Sequence, residues 1–137
     1  MSLAPSVTHT SPVHQGRTGH IALWVVQVAL AGMFLLAGSS KLFGAAAMVG
    51  LFDAIGIGQW FRYVTGLIEV SSAVALLVPS FAVFGALALV ATMIGAIAAH
   101  LFIVGGSPAM PVILLLGSAG VLWTRRQQLL GALRTVR

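Results

Sequence analysis

The stretch FRYVTGLIEVSSAVALLV, Phe61–Val78, decides how this chain is read: it is an apolar run of membrane-spanning length with one acid, Glu69, inside it. A spanning helix needs about 20 predominantly apolar residues. A charge at the bilayer centre costs about 2.5–3.5 kcal/mol on insertion scales, so such residues are rare and tend to have a role. Working toward the N-terminus, beyond Arg62 at the start of the same run, the next charge of opposite sign is Lys41, at the end of Ile21–Leu42. Toward the C-terminus lie two more apolar runs, Phe81–Val104 and Ala109–Thr124.

The composition agrees with that reading. The 137 residues make one domain, 59% of them hydrophobic and 7% charged, where a soluble domain carries about 25% charged residues. The net charge of +5 invites a nucleic-acid reading, but four of the seven Lys and Arg lie in the last 13 residues, at Arg125, Arg126, Arg134 and Arg137. That placement fits a cytoplasmic flank facing anionic lipid, and no nucleic-acid partner is expected. With no cysteine in the chain, disulfides, thiol redox chemistry and thiolate metal sites are excluded.

The expected architecture is all-α: an integral membrane up-down four-helix bundle with spans at about 21–42, 61–78, 81–104 and 109–124. Residues 1–19, rich in Ser, Thr, Pro and Gly, are expected to form a disordered cytoplasmic tail. Residues 20–125 form the transmembrane domain, and 126–137 a basic amphipathic cytoplasmic tail. A signal peptide is the alternative for the first run, but its apolar core exceeds the usual 7–15 residues. Between spans one and two, AAAMVGLFDAIG is expected to form a short amphipathic helix in the interface, closed by Gly56-Ile57-Gly58. Pro79–Ser80 and Gly105–Pro108 make the other links short, so consecutive spans are antiparallel neighbours. The basic residues put both termini in the cytoplasm of a cell (plasma) membrane protein, with Trp24 and Trp123 at the inner interface and Trp60 at the outer.

This topology gathers the polar residues. At about 1.5 Å per residue, Lys41 and His100 fall near the outer ends of their spans, and Glu69 about 10–12 Å inside. Thr65, Glu69 and Ser72, at i−4, i and i+3, share one helix face. Asp53, Arg62 and Tyr63 are expected at the rim above them. Gly85, Ala88, Thr92, Gly95 and Ala99 form a stripe of small residues on the third span, suited to close helix approach in lipid.

The plainest reading of Lys41 and Glu69 is a structural ion pair that fixes helix order, with a snorkelling lysine as its variant. Against it stand a ligand or quinone-headgroup site and a proton-coupling site. For His100 the plain reading is an interfacial, hydrogen-bonded residue. No phosphate-binding loop, zinc-ligand spacing or nucleophile elbow occurs. His9, His14 and His20 have no acid or cysteine beside them, and His20 and His100 fall at opposite ends of the spans. No metal and no haem are expected from this chain alone.

Three stretches carry a family resemblance: LLAGSSKLFG at 35–44, VTGLIEVSSAVALL at 64–77 and AAHLF at 98–102. With the short segment around Phe52–Asp53, the chain resembles the DoxX family of small four-helix membrane proteins over roughly residues 20–125. Position by position the resemblance picks out Gly38, Lys41, Gly66, Glu69 and His100. It implies a link to membrane redox chemistry, since the family's namesake is similar to a subunit of an archaeal thiosulfate:quinone oxidoreductase. Eukaryotic relatives act instead as assembly factors for receptor channels.

Three functions compete. The first is an accessory membrane subunit of a redox system, with a membrane or peripheral oxidoreductase partner. It would hold a quinone or other lipophilic ligand among Lys41, Glu69 and His100, with Phe34, Met93 and Phe102 as apolar walls. The second is a non-catalytic assembly or scaffold protein whose small-residue faces pack on a partner or in a homo-oligomer. The third is a small proton-coupled exporter. The first two make the chain an accessory component rather than a self-contained enzyme.

Overall fold

The computed structural model describes residues 16–136. Within them are six α-helices: α1 (Arg17–Leu42), α2 (Ala46–Ile55), α3 (Gln59–Leu77), α4 (Ala82–Ala99), α5 (Ala109–Thr124) and α6 (Arg126–Thr135). Residues 1–15, with His9 and His14, lie outside the described residues. Of the expected tail, residues 17–19 instead form the first turn of α1.

Three segments are long and apolar enough to cross a membrane: Arg17–Leu42, Gln59–Leu77 and Ala82–Val104. Ala109–Thr124 is apolar but shorter. α1 packs mainly against α3, α3 against α4 and α4 against α5, while α1 also touches α5. α1 and α3 run antiparallel: Lys41 at the end of α1 meets Arg62 near the start of α3, and Gln27 early in α1 meets Leu76 late in α3.

Burial is inverted relative to a soluble protein. Large aliphatic and aromatic side chains cover the outside, among them Leu36 at 73% exposure, Val25, Leu67, Ile113 and Leu116. Gln27, Arg62, Glu69, Ser72 and Ser118 are buried. An exposed apolar surface of this extent marks contact with lipid or a partner, and polar groups facing inward are what a bilayer solvent selects. The core joins Leu30, Ala31 and Phe34 of α1 to Ala73 and Leu76 of α3 and Ala86, Leu89 and Met93 of α4.

The helix boundaries follow local chemistry. α2 ends at Gly56, whose φ of +80° closes the helix in the left-handed conformation that glycine adopts without penalty. Beyond Ala99 the backbone continues as a π-helical turn, His100–Val104, until Gly105 at φ +76°. This turn packs against α2. The small-residue stripe of α4 divides: Gly85 lies against α3, while Gly95 is exposed with no neighbour within 4 Å of an added Cβ.

Candidate functional site

The site is built on a close crossing of α1 and α3. A Cβ added at Gly38 would stand 2.9 Å from the carbonyl oxygen of Gly66, and one added at Gly66 would stand 3.0 Å from that of Gly38. Three residues past each glycine, on the same face of its helix, comes a charge. Lys41 Nζ donates to Glu69 Oε2 at 2.7 Å. Glu69 is 1% exposed, and the lysine side chain 13%.

A hydrogen-bonded chain runs outward from this pair. The guanidinium of Arg62 donates through Nη1 to the carbonyl of Lys41, in the last turn of α1, where helix carbonyls lack an intrahelical partner. Arg62 Nε donates to Gln59 Oε1 at 2.6 Å, and Gln59 Nε2 donates to Asp53 Oδ1 at 2.6 Å and to the Val49 carbonyl at 3.0 Å. The chain thereby ties α2 to α3 and α3 to α1. Arg62, expected at the rim, is buried, with its cation against the carbonyl end of α1, where the helix dipole favours positive charge. Tyr63 stays half-exposed, with the Arg62 guanidinium 4.3 Å above its ring, and Asp53 is exposed.

The remaining expected site residues do not bond the pair. Thr65 donates to Phe61 and Arg62 carbonyls of its own helix. Ser72 is buried one turn beyond Glu69, and its carbonyl would lie 2.7 Å from a Cβ at Gly85. His100 Nδ1 bonds the Ala96 carbonyl at 2.9 Å at the head of the π-helical turn. Phe34 and Met93 belong to the core, whereas Phe102 is 84% exposed.

A second polar node, absent from the sequence reading as a site, lies at the opposite end. Gln27 is fully buried. Its Nε2 donates to the Leu76 carbonyl at 2.6 Å, and its Oε1 accepts from Arg125 Nε at 2.9 Å. One amide therefore joins α1, the last turn of α3 and the end of α5. The signal was present, since Gln27 is the one polar side chain in the run Ile21–Gly38. Its partner, 98 residues away, was not readable from spacing. Arg125 also lies 5.8 Å over the Trp24 ring, and desolvation lowers its pKa from the ordinary arginine value.

Among the described residues no three His, Asp or Glu side chains converge as a metal site would require. No curated protein and no solved structure matches the chain. The sequence pattern of the DoxX-like family matches residues 25–121, a segment that holds the glycine crossing, the Lys41–Glu69 pair, Arg62 and Gln27. The chain belongs to the DoxX-like family.

Proposed function

We propose that this chain is a four-span membrane protein acting as a non-catalytic assembly scaffold. In this reading α1, α3, α4 with its π-helical turn, and α5 form an up-down bundle. α2 lies in the outer interface and both termini face the cytoplasm of the plasma membrane. The observation that carries it is the closed Lys41–Glu69 pair: of the chain's two acids, the buried one joins α1 to α3 beside a backbone crossing. Its polar groups serve helix association. The outward face of Gly95 leaves a close-approach surface in lipid for a partner helix or a second copy.

Cross-linking through Gly95→Cys tests this. The expected result is a discrete cross-linked species in native membranes, absent when cysteine replaces a residue elsewhere on α4. A chain that stays monomeric and partnerless in its own membrane overturns the scaffold.

One observation favours the accessory redox subunit with a quinone-like ligand. His100 uses Nδ1 on the Ala96 carbonyl, which leaves Nε2 to a ligand, and it heads a π-helical turn, a feature frequent at functional sites. Stoichiometric quinone in the purified protein, found by mass spectrometry, would select this reading over the scaffold. A proton-coupled exporter is disfavoured, because Glu69 faces an ammonium and not open space.

A further inference from the structure

The end opposite the Lys41–Glu69 pair is wholly basic. Arg17, Arg125, Arg126 and Arg134 stand there, while the chain's two acids stand elsewhere, Asp53 on α2 and Glu69 midway along α3. Two of these arginines are held in position. Arg125 is fixed through Nε by buried Gln27 and lies over Trp24. Arg126 lies 4.3 Å over the Trp123 ring and donates Nη1 to the Trp123 carbonyl at 2.9 Å.

Apolar surface adjoins the charge. On α6, Leu130 and Leu133 are exposed in the same helix as Arg126 and Arg134. On α1, Ile21, Val25 and Val28 form an exposed apolar face beside His20 and Trp24. The ring beneath Arg125 thus adjoins this apolar face.

We propose that this end binds an anionic phospholipid, with the phosphate on Arg125 and Arg126 and an acyl chain along the exposed apolar face of α1. α6 lies on the same leaflet through Leu130 and Leu133. Guanidinium forks match phosphate geometry, indole rings favour the headgroup level, and clustered arginines beside a span attract anionic lipid. The apolar face of α1 and the exposed leucines of α6 select a lipid over a free anion. The inference rests on the membrane-spanning reading of the chain.

The test is lipid retention by the full chain in nonionic detergent, followed by native mass spectrometry with phosphatidylglycerol, phosphatidylcholine or inorganic phosphate. Phosphatidylglycerol should be retained preferentially, and each arginine removed should weaken that retention by about fivefold. Arg126→Gln/Arg134→Gln alters exposed side chains, so melting without lipid should be unchanged while selectivity falls. Arg125→Gln should lose both selectivity and stability. Equal retention of the two lipids, unchanged selectivity in the double variant, or displacement of phosphatidylglycerol by equimolar phosphate would each overturn the site. A chain that shows no lipid preference yet still requires detergent loses this proposal and keeps the membrane reading.

Discussion

Gly38 and Gly66 hold each other's backbone: each carbonyl oxygen occupies the space in which the other residue would carry a Cβ. Because Lys41 and Glu69 each follow one of these glycines by three residues, the crossing also sets the reach of the ion pair. Side chains three apart on a helix lie on one face, so the close approach of two backbones brings the charges within 2.7 Å.

Gly38→Ala and Gly66→Ala should therefore each destabilise the protein by about 1–3 kcal/mol, the range for overpacking a tight contact. Each Cβ would meet the other glycine's carbonyl oxygen, which cannot swing aside, and side-chain atoms as well: Val70 Cγ2 at Gly38, Lys41 Cβ and Leu42 Cγ at Gly66. Gly95→Ala is the control, since its Cβ meets nothing within 4 Å. It should be neutral or slightly stabilising, as alanine favours the helix. Thermal unfolding in one detergent compares the three, and equal midpoints would remove the crossing from the account.

The ion pair should show as coupling. Glu69→Gln or Lys41→Gln leaves the other charge inside the apolar core, a loss of about 3–5 kcal/mol for a buried pair. The double variant should be less destabilised than the two singles summed, and the Lys41→Glu/Glu69→Lys swap should recover folded yield. Additive losses across the cycle would mean that the two residues act independently.

How far the sequence carried this picture depended on spacing. Depth counted along two apolar runs put Lys41 and Glu69 in one half of the bundle, and the two do meet, whereas Gly38 and Gly66 were picked out by the family resemblance alone. His100, Thr65 and Ser72 were gathered by the same depth argument, yet depth does not fix azimuth, and Thr65 and His100 bond their own helices. The α4 stripe divides: Gly85 is buried against α3 as close approach requires, whereas Gly95 is exposed, and the larger buried residues Leu89 and Met93 continue the core from Ala82 and Ala86. The π-helical turn at His100–Val104 has no proline or glycine within it to announce it.

Gln27 yields the third prediction. Gln27→Leu keeps the approximate volume but leaves the Leu76 carbonyl and Arg125 Nε without their partner. A buried group left unsatisfied loses about 1–3 kcal/mol. Gln27→Leu and Arg125→Gln should be non-additive, because both break one hydrogen bond. Melting midpoints of the two singles and the double variant check this, and additivity would show that Arg125 acts elsewhere.

Topology is the last prediction and the most exposed. The chain's two polar nodes stand at opposite ends, Arg62 and Lys41 at one, Gln27 and Arg125 at the other. If α5 crosses the membrane as the fourth span, these ends are opposite membrane faces, and the arginine-rich one is cytoplasmic. The chain lacks cysteine, so single cysteines report cleanly. Ile57→Cys, in the exposed turn after α2, should react with a membrane-impermeant maleimide in intact cells. Thr135→Cys, at the end of α6, should react only after the membrane is opened. Labelling of both from outside would make the number of crossings odd and strip α5 of its spanning role. Labelling of Thr135→Cys alone would keep the four spans but reverse them, which would place the basic end, and the lipid it is proposed to hold, in the outer leaflet.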